Sequence, residues 1–149
     1  MSARTGVLAI DHGTKRTGFA AVDALRIAAV PLDAFAGSGD GPELLAHVGQ
    51  LLDERTVGVL LVGLPRHADG SEGVRAAEVR AFSVRLALHF SKLTVVLHDE
   101  HLTTKAAEEL LREAGTRRSD WKGRRDSLSA LVLLRDWLES GEPRDSVPG

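Results

Sequence analysis

Asp11 closes the short apolar run Gly6-Val7-Leu8-Ala9-Ile10 and is followed by His12-Gly13-Thr14-Lys15-Arg16-Thr17-Gly18. A carboxylate at the end of a buried strand is unfavourable unless something pairs with it. The next residues supply two glycines, two hydroxyls and two cations, the composition of a site for a metal ion or a phosphate. Two further acidic positions lie far along the chain. One is Asp99-Glu100, inside His98-Asp99-Glu100-His101; the other is Asp126, after a basic segment. Three carboxylates with no cysteine and no suitable catalytic triad suit a hard divalent cation, Mg²⁺ or Mn²⁺, which prefers carboxylate and water oxygens. Two such ions about 3.5–4 Å apart would hold the attacking water and the leaving oxygen of a phosphodiester.

The elements that must carry these residues follow from periodicity. Val7–Ile10, Thr17–Val22 and Arg26–Leu32 are β-rich runs with short breaks, which predicts hairpins and an antiparallel start. Gly37–Pro42 is a loop, and Leu44, Leu45, Val48, Leu51 and Leu52 repeat at helical spacing. Val57–Val62 is a continuous apolar strand stopped by Gly63-Leu64-Pro65. Ser71 is placed to cap a helix carrying Val74, Ala77, Ala81, Val84 and Leu88 on one face. Leu93–Leu97 is another buried strand. Thr103 or Thr104 caps a helix through Leu110, Leu111 and Ala114 that Gly115 ends, and a last helix runs from about Asp126 to Ser140.

The predicted order is β-β-β-α-β-α-β-α-α, an α/β fold with a five-stranded mixed sheet. The two α crossovers make strands one, four and five parallel, so their carboxyl ends share one edge. Ligands of open α/β sheets bind outside such ends. That edge collects Asp11, Gly63-Leu64-Pro65 and Asp99-Glu100. In a continuing strand Asp99 and Glu100 point to opposite faces, so one of them readily faces Asp11, and the sequence does not choose which. Asp126 is also a good helix N-cap residue, and that role competes with a place at the edge. The eleven residues Gly115–Arg125 reach up to about 36 Å when extended, enough to bring Asp126 back. Ser129 and Ala130 are small enough for a close helix approach, with Leu133 and Trp137 packing on the sheet. His12 and His98 lie near the edge, where each is a candidate proton shuttle and, more ordinarily, a polar contact. His47, His67 and His89 read as surface or loop residues.

A chain of 149 residues with 43% apolar content is one domain with a real core, here taken as 1–141 with a flexible tail over 142–149. The absence of cysteine excludes disulfides, zinc–thiolate sites and a Cys nucleophile. No apolar run reaches the roughly 18 residues of a membrane helix, and no signal peptide is readable, so a cytoplasmic protein is expected. Net charge is −2, yet Arg117, Arg118, Lys122, Arg124 and Arg125 stand against the single acid Asp120. That patch, with Lys15 and Arg16, is a candidate nucleic-acid contact; a solvated loop is the plainer reading.

Four blocks in order resemble the YqgF (RuvX-like) family of pre-16S rRNA nucleases and Holliday junction resolvases. Asp11-His12-Gly13-Thr14-Lys15-Arg16-Thr17-Gly18 looks like its Asp-x-Gly-x-Lys-Arg-Ile-Gly opening. Val62-Gly63-Leu64-Pro65 with Asp69-Gly70-Ser71, Asp99-Glu100-His101-Leu102-Thr103-Thr104, and Asp126-Ser127-Leu128-Ser129-Ala130 are similar to its later blocks. The resemblance implies an RNase H-like fold and a Mg²⁺- or Mn²⁺-dependent nuclease that matures the 5′ end of 16S rRNA. Branched DNA is its alternative substrate. It also implies Asp11, Glu100 and Asp126 as catalytic, metal-holding acids, with Asp99 as a candidate helper; Lys15 and His98, by their place near the edge, are further candidate helpers. Partners would be pre-rRNA, ribosomal precursor particles or branched DNA, for a monomer or homodimer with no membrane contact. His101 stands where the family has Arg, which removes a constant cation and introduces a group that titrates near neutrality. Two other classes compete: an actin-like ATP phosphotransferase, which shares the Asp-x-Gly-Thr opening but needs a second domain, and a non-catalytic RNA-binding module.

Overall fold

The computed structural model describes residues 5–100, 103–115, 117 and 121–144, with the side chains of 103, 104 and 121–123 outside that description. The elements are β1 (Gly6–Asp11), β2 (Arg16–Val22), β3 (Ala29–Ala36), α1 (Pro42–Asp53), β4 (Val57–Leu64), α2 (Val74–His89), β5 (Thr94–Asp99), α3 (Thr103–Glu113) and α4 (Trp121–Glu139). The predicted element order is the observed one. The strands form one sheet in the order β3-β2-β1-β4-β5, with the hairpin strands antiparallel and β1, β4 and β5 parallel.

Alternation along the strands builds a core on each face of the sheet. Leu8, Ile10, Leu60, Val62, Val95 and Leu97 pack with α1 and α2. Val7, Ala9, Leu61 and Val96 pack under Ala130, Leu133, Leu134 and Trp137 of α4, and α3 lies against α4. The small residues Ser129 and Ala130 are buried where α4 meets the sheet, as their size predicts. Trp137 is fully buried and its indole N–H donates to the Pro143 carbonyl at 2.9 Å. Trp137→Ala is therefore expected to lower the unfolding free energy by about 3–5 kcal/mol, read by urea denaturation; a change under about 1 kcal/mol would mean that α4 is not anchored there.

Several expectations need correction. The third strand starts at Ala29 rather than Arg26 and extends to Ala36. The Asp23 carboxylate accepts from the amides of Ile27 and Ala28 and holds residues 23–28 in a turn, with Arg26 at a φ of 61°. Ser71 does not cap α2. Its hydroxyl donates to Asp69, and Gly73 is the N-cap, with no side-chain cap bond. The buried face of α2 is Ala76, Val79, Phe82, Ser83 and Leu86, and Val74 and Leu88 point to solvent. The sheet selects the face bearing Phe82 over the face with more aliphatic residues. His47 is not a loose surface residue: it sits half-buried in α1, with Phe19 and Phe35 at ring-centroid distances of 5.3 and 5.1 Å.

Helix α4 begins at Trp121, so Asp126 lies in its second turn and is not an N-cap. Arg124 and Arg125 are therefore helical rather than members of an eleven-residue loop. At the other end, Gly141 N–H bonds to Leu138 O and Glu142 N–H to Trp137 O, the paired bonds of a Schellman ending. Glu142, expected in the tail, accepts from the Arg26 guanidinium at 3.2 Å.

Candidate active site

Asp11, Glu100 and Gly63 occupy one face of the sheet for a simple reason. In β1, Val7 and Ala9 face α4, so Asp11 two residues later faces α4 too. In β4 the same alternation runs Val59, Leu61, Gly63. Beyond β5, the Glu100 amide still donates to Leu64 O at 3.2 Å, so the pleat persists for one more residue. Glu100 then shares the face of Val96 and His98, and Asp99 is directed to the opposite, exposed side. The choice between the two neighbouring acids is thus made by one backbone hydrogen bond.

Between β1 and β5 lies Gly63. A Cβ there would stand 2.6 Å from Glu100 Oε2 and 3.2 Å from Leu133 Cδ2, so only glycine leaves room for the carboxylate. Across this gap the Asp11 and Glu100 carboxyls hydrogen-bond to each other. On the other side, Asp11 pairs in register with Gly18 of β2. A Cβ on Gly18 would lie 2.0 Å from the Asp126 carbonyl oxygen, so the backbone of α4 rests directly on that glycine. The two glycines flanking Asp11 across the sheet make room for the acid on one side and the helix on the other.

The electrostatics follow from burial of like charges. Burial pushes the Asp11 carboxyl up to about 6, with the Glu100 hydrogen bond working against this and Asp126 adding to it. Burial and then the Asp11 charge push Glu100 up to about 9, reinforced by the hydrogen bond. Two carboxyls this close cannot both ionise, so the pair keeps one proton between them near neutrality. Arg75 of α2 is the cation that partly offsets this at both carboxyls. Its guanidinium donates to the His12 carbonyl at 2.6 Å and to His12 Nδ1 at 3.3 Å. Sequence reasoning missed Arg75, because its role needs α2 to cross the strand edge; its place in the first turn of that helix, after the Gly63-Leu64-Pro65 stop, was the available signal. Arg75→Gln is expected to move the acid limb of a cleavage pH profile to higher pH with little change in the plateau rate. An unmoved limb would remove Arg75 from the site.

The other candidates are placed as follows. Asp126 accepts from Arg16 Nε at 2.8 Å. His12 is buried, its Nε2 2.8 Å from Gly39 O and its ring 4.4 Å from Phe82, and burial lowers its pKa, so it is a neutral structural residue. His98 reaches the Asp136 carboxylate of α4 at 2.7 Å and is engaged there rather than with the Asp11–Glu100 pair. Lys15 is exposed, and its carbonyl accepts from Gly37 N–H at 2.9 Å. Arg117 and Arg124 are exposed, and Arg125 pairs with Glu108 of α3 at 3.4 Å. Arg118, His101 and the Lys122 side chain lie outside the described residues.

Among the described residues no three acidic or histidine side chains are grouped closely enough to enclose a metal ion. The donor set nevertheless fits a hard divalent cation. Two adjacent, half-buried carboxyls share a proton because they cannot both ionise, and a cation would take that proton's place. Mg²⁺ is commonly held by one or two carboxylates plus water and substrate oxygens.

Residues 5–140 match the family model described as RuvX: Holliday junction resolvase. The chain belongs to the RuvX family. Family relatives named "Putative pre-16S rRNA nuclease" include one from Lactococcus lactis subsp. cremoris, 36% identical over 135 residues, covering 90% of this chain and 94% of that one. Another, from Sodalis glossinidius, is 39% identical over 139 residues, covering 93% and 97%. Among solved structures, T. thermophilus RuvC in complex with Holliday junction substrate superposes with a TM-score of 0.54 at 15% identity, covering 94% of this chain and 98% of that one. That likeness shows the fold, which is RNase H-like, as expected of the family.

Proposed function

We propose that this RuvX-family chain is a divalent-cation-dependent nuclease that hydrolyses phosphodiester bonds at the 5′ end of pre-16S rRNA. The observation that carries this is the Asp11–Glu100 pair, two half-buried carboxyls at the ends of parallel strands far apart in sequence, meeting over Gly63 with one proton between them. Asp11, Glu100 and Asp126 would hold the cation. When bound, it would lower the pKa of an attacking water and neutralise charge on the phosphate.

The chain's own residues do the rest. Gly18 and Gly63 fix the spacing of the acids, and Arg75 sets the charge balance beside them. Lys15, exposed at the rim, and Arg16 flank the path of a phosphate backbone past Asp11. Branched DNA is the second reading, supported by the description of the matching family model. An actin-like phosphotransferase fits less well, because paired carboxyls rather than a phosphate cradle stand behind the Asp11 loop. No helix of the described residues is long and apolar enough to cross a membrane.

The test incubates the protein with a pre-16S 5′-end RNA and with a four-way DNA junction, in Mg²⁺, Mn²⁺ or EDTA. Cation-dependent cleavage of the RNA is expected; cleavage of the junction alone would favour the second reading, and none of either would leave a binding module. The basic cluster has its own prediction. Replacing Arg117, Arg118, Arg124 and Arg125 with Ala should flatten the salt dependence of RNA binding by about 0.7 in log–log slope for each phosphate that the variant no longer neutralises. Arg125, already paired with Glu108, should contribute least. An unchanged slope would place the nucleic acid elsewhere.

A further inference from the structure

A groove of about 800 Å³ opens between β3 and the α3–α4 pair. Its walls are aliphatic, with Pro31, Leu32, Leu110 and Leu128 among them. Its rim carries Arg16, Arg124 and Arg135 against one acid, Asp33. Among the described residues Arg124 and Arg135 have no carboxylate partner. Arg16 belongs to two places at once: it lines this groove, and its Nε holds Asp126 at 2.8 Å.

We propose that this groove is the subsite for one nucleotide of the substrate strand next to the scissile phosphate, and that Arg16 links its occupancy to Asp126. The proposal rests on the nuclease reading above. The volume lies within the range of ligand pockets, and the aliphatic wall offers a base a dry surface beneath arginine planes. Arginine forks bind phosphate as readily as carboxylate, so Arg16 can exchange Asp126 for a substrate phosphate with little loss. The Asp126 backbone rests on Gly18, the residue paired in register with Asp11, so Asp126 stands beside the pair when Arg16 releases it. The third acid would then join the other two only when a strand is in place. Charge argues against a second copy of the chain on this face, since a two-fold contact would set the arginine rims against each other.

The experiment uses the full chain without metal. A single-stranded RNA tetranucleotide and, separately, inorganic phosphate are titrated while amide and carboxyl resonances are followed. The expected result is saturable shifts at Ala34, Leu110 and Leu128 together with movement of the Asp126 carboxyl signal, and much weaker binding of phosphate alone. The Arg124→Glu/Arg135→Glu variant, altered at two exposed positions, should fold as wild type and bind the tetranucleotide about tenfold or more weakly. Arg16→Gln should shift the Asp126 carboxyl signal without any ligand.

The proposal is overturned if the shifts map elsewhere, if the double variant binds within twofold of wild type, or if an acidic peptide binds the groove more tightly than the tetranucleotide. Self-association that disappears on Leu128→Glu would also overturn it. The two readings fail separately. RNA cleaved with unchanged KM by the double variant removes the subsite and keeps the nuclease. A tetranucleotide seated in the groove of a protein that cleaves nothing removes the nuclease and keeps the subsite.

Discussion

Glu100→Gln is expected to lower cation-dependent cleavage by about 10²–10⁴-fold while making the metal-free protein more stable at alkaline pH. The loss in rate reflects the several kcal/mol that a metal site supplies to phosphoryl chemistry. The gain in stability has a separate origin. Glu100 is raised from 4.5 to about 9 and Asp11 from 3.8 to about 6, so the folded chain binds protons more tightly than the unfolded one. Between about pH 4 and pH 9 the folded state of the metal-free protein therefore loses stability as pH rises. A glutamine amide can donate to Asp11 as the protonated Glu100 does, with no proton to lose. Melting temperatures in EDTA at pH 5 and pH 9 should differ less in the variant than in wild type. Mg²⁺ should restore wild-type stability at pH 9 and do little at pH 5, where it competes with the proton. Equal cleavage by variant and wild type would sink the assignment; an alkaline melting temperature as depressed in the variant as in wild type would sink the shared-proton picture.

Gly18→Ala carries the second large effect, and no acid or base is altered by it. The added methyl would lie 2.0 Å from the Asp126 carbonyl oxygen and 2.3 Å from its carbon, both backbone atoms of α4 that no side-chain rotation can move. The helix must lift from β2, at a cost of about 1–3 kcal/mol of stability. Lifting it also carries Asp126 away from Asp11, and a misplacement near 1 Å is worth about 10²-fold in rate. Gly49→Ala is the control. It lies in α1, where a Cβ would meet only Phe90 at 3.9 Å, and it should stabilise by about 0.5–1 kcal/mol with cleavage unchanged. Gly18→Ala melting with wild type, or cleaving as well, would show that α4 does not depend on that contact.

Much of the fold was legible because period and parity carry it. Continuous apolar runs at Val57–Val62 and Leu93–Leu97 allowed little but buried parallel strands, and Val59–Val62 and Val95–Leu97 are buried in the sheet. Element boundaries were less legible where a side chain competed with the regular pattern. Asp23 takes the amides of Ile27 and Ala28 and delays β3, although Arg26–Leu32 reads as strand throughout. The buried face of α2 is not legible in the pattern, because its apolar residues are spread around the helix and packing on the sheet selects Phe82. The start of α4 is masked because Asp126-Ser127 reads as a cap, whereas the helix already spans Trp121 and the residues that follow.

For the candidate site, the sequence by itself determined which acids stand at the ends of parallel strands, and hence that Asp11 and the Asp99-Glu100 pair share an edge. Residue type and strand order suffice for that. Only the tertiary structure decided that Glu100 is the inward acid, that Gly63 leaves the gap where it meets Asp11, and that Asp126 is held by Arg16. Each of those depends on contacts between segments distant along the chain: the Glu100–Leu64 backbone bond, the bare Cα of Gly63 beneath Leu133, and α4 resting on Gly18. Local pattern places a carboxylate on a face; whether it keeps its proton there is set by what the rest of the fold packs around it.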